Sequence, residues 1–295
     1  MNHPQSLLGV HAATVLFGLA GLFGKWLDLA PHLIVLGRVV FAAAALALII
    51  PLAGGRFTVR GKRDAGAFLL QGAILAVHWV LFFESIRVST VAVGLLAYSS
   101  FPVFTAFLEP AFFRTRLSRL HIGLSLVCLA GIFLIVPHFD WSERIFRGVL
   151  LGLGAGATFA LLSILNRKLS FRYPSPVVAF YQDAFAALFL LPAAFLLPPY
   201  ALSGREILLL AALGIFCTAG AHTLFIAGMR HLSAQTASII SALEPVYGML
   251  FALLFLGERP SLRTLAGGAV ILTAVAALSL VNLRKTGPVS PSPGP

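Results

Sequence analysis

A few charged side chains lie inside long apolar stretches of this sequence, where an ionisable group is costly unless it has a function or a partner. Glu244 directly precedes Pro245, and a proline frees backbone carbonyls beside that carboxylate. Such a pair could bind a proton or another cation. Alternatively, the proline could kink the helix for structural reasons alone. Arg38 suits the binding of a substrate carboxylate, or an ion pair with Glu84.

Two histidines, His78 and His222, occupy nearly equivalent places in two apolar stretches. Histidine titrates near neutral pH, so either ring is suited to relay a proton, while a hydrogen bond between packed helices is the simpler role. Trp79 follows His78 directly and Phe82 lies about one helical turn further on. These rings would form an aromatic wall for a solute, unless they face lipid.

Hydroxyl groups form two further polar patches. Tyr98 and Ser99 precede Pro102 within an apolar stretch, and Tyr181 begins a Tyr-Gln-Asp triplet. Hydroxyls inside an apolar segment suit a cavity wall that hydrogen-bonds a solute, or contacts between helices. We therefore predict a solute-binding site that draws on the following residues: Arg38, His78, Trp79, Phe82, Tyr98, Ser99, Tyr181, His222 and Glu244.

Motifs for enzymes and for nucleotide-driven transport do not occur in this sequence. It has no HExxH, no Gly-x-x-x-x-Gly-Lys-Ser/Thr loop and no Cys-x-x-Cys pair. The two cysteines, Cys128 and Cys217, each lie in an apolar stretch, which predicts packing rather than a disulfide or a metal site. We expect no catalytic residues, no cofactor and no bound metal. Any transport would be driven by an ion gradient, by exchange or by neither.

The elements that position these side chains must be membrane-spanning helices. Hydrophobic residues make up 59% of the chain and charged residues only 11%, too few to cover a soluble fold of this size. About 20 mainly apolar residues are needed for each crossing. Ten segments qualify, at roughly 7–27, 32–52, 65–85, 90–112, 119–137, 146–166, 175–198, 206–229, 235–255 and 262–282.

An internal repeat relates the two halves of the chain. A shift of 143 residues places Lys25 on Lys168 and Pro31 on Pro174. The same shift places Arg87 on Arg230, Pro102 on Pro245 and Arg116 on Arg259 without a gap. Apolar matches arise by chance in such a sequence, whereas prolines and arginines at one fixed offset indicate a duplication.

Each half contains five predicted spans, and five is an odd number. The second half would therefore enter the membrane from the opposite side, as in many secondary transporters. We predict an all-α integral membrane protein of ten transmembrane helices in two inverted five-helix repeats. The predicted boundaries are 1–138 for the first repeat, 144–284 for the second and 285–295 for a disordered cytoplasmic tail.

The net charge of +11 comes from Lys and Arg between the apolar stretches. Short basic segments of this kind indicate topology and contact with anionic membrane lipid, not nucleic acid. An excess of them falls on the side that holds both termini, chiefly in the loops near residues 56–63, 114–119 and 167–172. The positive-inside rule then predicts a multi-pass protein of the bacterial inner membrane with both termini in the cytoplasm.

Several motifs resemble the EamA family of the drug/metabolite transporter superfamily, in its ten-helix bacterial form. These are Glu244-Pro245-Val246-Tyr247, Leu256-Gly257-Glu258-Arg259-Pro260-Ser261, Leu36-Gly37-Arg38 and Phe17-Gly18 with Gly24-Lys25. The resemblance covers about 1–285. The first repeat departs from the family pattern at two places. Phe101-Pro102 replaces Glu-Pro, and Arg114-Thr115-Arg116 replaces Gly-Glu-Arg.

This resemblance implies two EamA repeats and the export of amino acids or related small metabolites by alternating access. The expected partners are a small solute, membrane lipid and a proton as one option for the coupling ion. Two alternatives belong to other classes: a membrane-embedded enzyme that modifies lipids, and a scaffold without transport. An enzyme would need acid, base or metal residues clustered at one membrane face, whereas the candidates here are spread over several helices.

Overall fold

The structure is a computed structural model that describes residues 3–113, 119–136, 140–196, 201–229, 231–232, 237, 240–241 and 243–286. Every regular element in these residues is a helix, which confirms the predicted all-α class. The helices are α1 His3–Trp26, α2 Pro31–Leu52, α3 Lys62–Val88, α4 Val91–Tyr98, α5 Phe101–Phe113, α6 Arg119–Ile135, α7 Arg144–Ser170, α8 Ser175–Leu196, α9 Gly204–Gly214, a π-helical turn Ile215–Gly220, α10 Ala221–Gly228, α11 Glu244–Leu256 and α12 Leu262–Thr286.

Seven helical segments of the described chain are long enough and apolar enough to cross a membrane. Three shorter apolar helices complete the set: Ile122–Ile135, Glu244–Leu256 and Leu262–Ala277. These ten segments fall at the ten predicted positions. The last helix continues to Thr286, two residues into the predicted tail, and the rest of that tail lies outside the described residues, as do Arg114–Arg116 and Arg230.

Apolar side chains cover the outside of the helices. Leu48, Leu70, Leu126 and Leu254 are each more than half exposed, and many other aliphatic and aromatic residues share this outer surface. A soluble protein would lose stability by exposing so large an apolar surface to water. The surface is suited to lipid, which agrees with the apolar length of the helices.

A helix begins one residue before the proline in both the fourth and the ninth segments. Helix α4 ends at Tyr98 and α5 begins at Phe101, one residue before Pro102. Helix α11 begins at Glu244, again one residue before its proline. Proline suits the first turn of a helix because the N–H that it lacks would have no partner there. Each proline therefore marks a new helix start deep inside the bundle.

Helix pairs pack closely where small residues let their backbones approach. Gly18 of α1 lies against α11, and a Cβ atom there would come within 2.9 Å of the Gly248 nitrogen. Gly152 of α7 lies against α4, where a Cβ atom would come within 2.6 Å of the Ala97 Cβ atom. The fourth and ninth segments are thus held against α7 and α1, respectively.

Other contacts complete the bundle. Helix α2 packs against α8 and α9, α3 packs against α7 and α8, and α1 packs against α10. Helices α6 and α12 pack mainly on each other, at one side of the bundle. The interior is thus formed by α1 to α4 together with α7 to α11, and the polar side chains of interest lie on these helices.

One end of the bundle, called here the Asp64 end, is closed by contacts between the two halves of the chain. Asp64 in the first turn of α3 forms an ion pair of 2.6 Å with Arg172, which follows α7. The Tyr173 hydroxyl donates to the same carboxylate and accepts a hydrogen bond of 2.9 Å from the Arg60 nitrogen. These bonds join the loop after α2 to the loop after α7.

The opposite end, called the Glu258 end, is closed in a similar way. The Glu258 carboxylate accepts hydrogen bonds of 3.1 Å from the Val91 and Ala92 nitrogens, at the N-terminus of α4. Lys25 donates to the Ser89 carbonyl at 3.0 Å. A carboxylate at a helix N-terminus satisfies unpaired N–H groups and complements the helix dipole. The loops after α1, α3 and α11 therefore meet at this end.

Candidate functional site

A small cavity walled by buried side chains lies in the bundle interior, and most of the predicted site residues line it. Its free volume is about 20 Å³, room for a water molecule but not for a metabolite. Seven of the nine predicted residues contribute to its wall. The full lining is Phe17, Ala20, Arg38, His78, Trp79, Phe82, Tyr98, Phe159, His222 and Glu244.

Arg38 on α2 is the strongest cationic feature of the cavity, and it is only 2% exposed. Its Nε atom donates to the Thr218 hydroxyl at 2.9 Å, and Nη2 donates to the Cys217 carbonyl at 3.3 Å. The guanidinium carbon lies 3.8 Å from the centre of the Trp79 ring. Stacking and hydrogen bonding on one side hold the guanidinium plane in place and leave its remaining donors for an anionic group.

The π-helical turn explains how α9 and α10 provide those two acceptors. Residues 215–220 wind more widely than an α-helix, a distortion often found at functional sites. The Thr218 hydroxyl donates to the Leu213 carbonyl at 2.8 Å, which orients its lone pairs toward Arg38. The predicted alternative partner, Glu84, instead forms a bidentate pair with Arg87 at 2.7 and 2.9 Å.

Glu244 faces Arg38 across the cavity from the first turn of α11. The residue is 3% exposed, and one of its carboxylate oxygens, Oε2, has no hydrogen-bond partner. Its charge interacts with that of Arg38. The helix start places the positive end of the α11 dipole beside the carboxylate. The acid thus lies where it could receive a cationic group or a proton.

The two histidines line the cavity from opposite halves. The His78 ring contacts the Ala155 carbonyl through Nδ1 at 2.9 Å, and this requires the proton on Nδ1 and leaves Nε2 as an acceptor. His222 packs against Phe17 and Trp79, with ring centres 5.6 and 5.0 Å apart. Its Nδ1 atom is buried without a hydrogen-bond partner.

Aromatic rings form the rest of the wall. Tyr98 packs edge to face with Phe82 and Phe159, at centroid distances of 5.6 and 5.4 Å. Phe101, which occupies the position of Glu244 in the other repeat, stacks on Tyr98 at 5.5 Å. The two repeats therefore contribute different groups at matching helix starts, a carboxylate from one and an apolar ring from the other.

Two predicted residues lie outside the cavity wall. Ser99 donates its hydroxyl to the Leu96 carbonyl at 2.7 Å and stabilises the break between α4 and α5. Tyr181 packs between Phe68 and Phe185, with ring centres 4.9 and 6.2 Å away. Tyr181 and its two successors follow one another on α8, so their side chains point in different directions and only some of them can face the interior.

The structure adds a second polar cluster that the sequence argument did not assign to a site. Gln71 of α3 and Gln182 of α8 both donate to the Asn166 side-chain oxygen on α7, the former at 3.0 Å. Asp183, which follows Gln182, is completely buried, and its charge interacts with that of Arg38. Of these residues, the sequence indicated only Gln182 and Asp183, through the Tyr-Gln-Asp triplet that contains them, and the fold shows that three helices bring Gln71, Asn166 and Gln182 together.

A buried polar site within an apolar helical bundle defines a class: a multi-pass membrane protein that handles a small solute. The comparison with known families gives the particular assignment. The profile of the EamA-like transporter family matches residues 5–136 and 146–280. The chain belongs to this family, as its motifs predicted.

Three similar proteins carry names that describe them as transporters or exporters. The chain is 26% identical over 212 residues to the uncharacterized transporter YwfM of Bacillus subtilis, which covers 71% of this chain and 72% of YwfM. It is 28% identical over 222 residues to the pseudopaline exporter CntI of Pseudomonas aeruginosa, with 74% and 76% covered. The uncharacterized inner membrane transporter YicL of Salmonella typhimurium is 26% identical over 292 residues, with 95% of this chain and 97% of YicL covered.

A solved structure has the same fold. It superimposes with a TM-score of 0.70 and covers 97% of this chain and 99% of its own, at 20% sequence identity. Family and relatives together identify a membrane transporter of a small solute and point away from an enzyme.

Proposed function

We propose that this protein is a secondary transporter that exports amino acids or related small metabolites across the bacterial inner membrane by alternating access. One observation carries the proposal: Arg38 and Glu244 line one cavity in the bundle interior, each contributed by a different half of the chain. Burying opposite charges in an apolar bundle is costly, and binding a solute with both charges is a function that repays it.

Inverted repeats provide the physical basis for alternating access. Helix α1 ends at the Glu258 end, where Lys25 contacts Ser89. Its counterpart α7 begins at the same end, where Arg144 donates to the Val88 carbonyl at 3.0 Å, and finishes at the Asp64 end, beside Arg172. The two equivalent helices thus run in opposite directions, which supports domains at 1–138 and 144–284 related by inversion.

Packing between the halves supports the same relation. Helix α1 packs on α11 as α7 packs on α5, and α1 packs on α10 as α7 packs on α3. Helix α2 packs on α9 as α8 packs on α3. If each helix is replaced by the equivalent helix of the other half, every one of these helix pairs becomes another pair that is also in contact. Two such arrangements of nearly equal energy would let the cavity open to either end in turn.

Charge sets the orientation that we propose. The Asp64 end carries the basic loops with Arg56, Arg60, Lys62, Arg167 and Lys168. By the positive-inside rule this end lies in the cytoplasm, together with both termini, and these loops contact anionic lipid there. The Glu258 end then faces the outside. A solute that binds from the Asp64 end would leave at the Glu258 end.

The cavity chemistry fits a zwitterion with an apolar side chain. A carboxylate would bind the guanidinium of Arg38, an ammonium group would bind Glu244, and the rings of Tyr98 and Phe159 would contact apolar atoms. The exporter name of the Pseudomonas aeruginosa relative supports the direction of transport. His78 and His222 would serve as hydrogen-bonding groups or proton relays at the same site.

Solute counterflow in liposomes that contain only this protein tests the proposal. Vesicles loaded with unlabelled phenylalanine, leucine, lysine or glutamate should take up the matching labelled amino acid. Glu244→Gln should abolish that uptake while the variant stays folded. Glu84→Gln, which changes a partly buried acid paired with the exposed Arg87, should transport normally. Chemical conversion of lipid without solute flux would favour the enzyme class instead, and neither activity would favour a scaffold.

A further inference from the structure

A groove lies on the outer surface of the bundle, between α5 and the last two turns of α7, at the Asp64 end. Its free volume is about 410 Å³, against about 20 Å³ for the central cavity. This is the size of pockets that hold small organic ligands. Four apolar and two basic side chains line this groove, called here the α5–α7 groove: Phe112, Ile164, Leu165, Phe171, Arg167 and Lys168.

The α5–α7 groove opens toward lipid. Phe112 and Phe171, which border it, are 52% and 65% exposed. Helices α5 and α7 pack on each other, and α7 is long enough and apolar enough to cross the membrane. Lipid is the solvent around such helices, and no water is present at that depth to fill an apolar groove. The molecules that reach this groove from outside are therefore phospholipids.

The order of groups along the groove matches that of a phospholipid. Helix α7 has 27 residues and spans about 40 Å, close to the full thickness of a bilayer. In a helix centred in the bilayer, Arg167 and Lys168 lie about 15–17 Å from the midplane, where hydrocarbon gives way to headgroups. Ile164 and Leu165 lie deeper, at about 10–12 Å, among the acyl chains.

The charge of the groove favours an anionic headgroup over a zwitterionic one. Among the described residues of its lining, two are basic and none is acidic. Arg114 and Arg116 follow α5 within three residues in the sequence. Cations in the last turn of a helix also complement its dipole, but that role needs no apolar groove beside them. Basic pockets between spanning helices are a common way to bind the phosphate of an anionic lipid.

The equivalent place in the other repeat lacks this combination. The 143-residue shift relates Arg167 to Gly24 and Phe171 to Asp28, so an arginine is lost and an acid is gained there. The lysine is retained as Lys25, but it donates to a backbone carbonyl at the Glu258 end. The basic groove thus belongs to one side of the membrane and is not required to build the repeat.

We propose that the α5–α7 groove binds one anionic phospholipid from the leaflet at the Asp64 end. Its phosphate contacts Arg167 and Lys168, and an acyl chain lies against Ile164 and Leu165. This goes beyond a general attraction between basic loops and the membrane, because it assigns a single site of defined shape. It does not depend on which solute the protein transports. The bound lipid fills the groove between α5 and α7 and stabilises the folded protein.

Native mass spectrometry of the full-length protein in detergent tests this site. Phosphatidylglycerol should form a one-to-one adduct that is at least several-fold more abundant than that of phosphatidylcholine with the same acyl chains. The double variant Arg167→Gln/Lys168→Gln should lose that preference. Arg56→Gln/Lys62→Gln removes the same charge from exposed positions at the same end, outside the groove, and should keep it. Equal adducts of both lipids, or an unchanged preference in the groove variant, would overturn the proposal.

The same measurement separates a lipid from other occupants. Glycerol 3-phosphate, which carries the phosphate without acyl chains, should form no adduct at the concentration used for phosphatidylglycerol. An equally abundant glycerol phosphate adduct would show a site for free phosphate. A complex of two chains that Arg167→Gln/Lys168→Gln abolishes would show an interface between copies of the protein. Either result would contradict a phospholipid site.

A second variant covers the case in which the double variant does not fold. Leu165→Trp fills the groove and leaves both basic residues in place, so it should reduce the phosphatidylglycerol adduct several-fold. It should also lose the rise in thermal midpoint that this lipid gives the wild type. Leu188→Trp, at a lipid-facing position of α8 that is 56% exposed, should keep both. Wild-type binding by Leu165→Trp would show that no acyl chain lies in the groove and would refute the proposal.

Discussion

At the scale of single residues, the function proposed above depends on one buried guanidinium. Arg38 is held by Thr218, by the Cys217 carbonyl and by the Trp79 ring, and a lysine could not reproduce this arrangement. The planar group presents its free donors in a fixed direction, whereas an ammonium group is a point charge on a flexible stem. In the proposed function, specific recognition of a carboxylate would follow from the planar shape of the guanidinium rather than from its charge alone.

Arg38→Lys should therefore transport poorly although the positive charge remains. Loss of a desolvated cation–π contact is worth about 2 kcal/mol, or about thirty-fold in affinity. The measurement is the concentration dependence of counterflow, with Arg87→Lys at an exposed ion pair as the matched control. If both variants bind the solute as well as the wild type, Arg38 does not contact it.

Several of these residues could be predicted from the sequence and others could not. Arg38, His78, His222 and Glu244 are conspicuous because an ionisable group in an apolar segment needs an explanation. Thr218 is not conspicuous, since its role depends on a π-helical turn that no local pattern indicates. The polar triplet at 181–183 predicts Tyr181 at the site. In the structure, its position on α8 directs the Tyr181 ring toward Phe68 and Phe185.

At the scale of helices, two interrupted segments position the site. The 143-residue repeat relates the two prolines, Pro102 and Pro245. From the sequence alone, Pro245 suggests a kink near the middle of the ninth segment, beside Glu244. The structure starts α11 at that residue instead, and α5 starts at the equivalent Phe101. Proline removes a backbone donor, and whether a helix bends or restarts depends on neighbouring packing, which a single sequence does not show.

Gly18→Ala tests that packing. The added Cβ atom would lie 2.9 Å from the Gly248 nitrogen and 3.0 Å from the Glu244 carbonyl oxygen, so α11 would have to move. Overpacking of this kind costs about 1–3 kcal/mol, and displacing Glu244 should reduce flux as well. Thermal unfolding in detergent and counterflow are the measurements. Gly66→Ala, where a Cβ atom meets nothing within 4 Å, should be harmless.

The Glu258 contact with α4 makes a second prediction at this scale. Glu258→Gln keeps one acceptor but loses the charge that complements the α4 dipole, worth about 0.3–1 kcal/mol, or about two- to fivefold in the population open at that end. A cysteine at Ala20, in the cavity wall, should therefore react faster with a thiol reagent added from the Glu258 end. Slower or equal labelling would show that the contact does not keep this end closed.

At the scale of the whole molecule, the chain is closed at both ends around a cavity too small for a metabolite. Contacts between the halves, through Asp64 at one end and Glu258 at the other, hold this state. The alternating access that we propose requires these two sets of contacts to break in turn. The duplication could be read from the sequence at a fixed offset, whereas the closed state could not, because it depends on loop contacts between distant residues.

Topology mapping tests the central claim, that two equivalent halves face opposite ways. Asp28 and Phe171 are both exposed and are related by the 143-residue shift. In a variant with Cys128 and Cys217 replaced, a membrane-impermeant maleimide added to intact spheroplasts should label Asp28→Cys and leave Phe171→Cys unlabelled until the membrane is opened. Labelling of both cysteines from the same side would contradict the inverted arrangement and the shared cavity that depends on it.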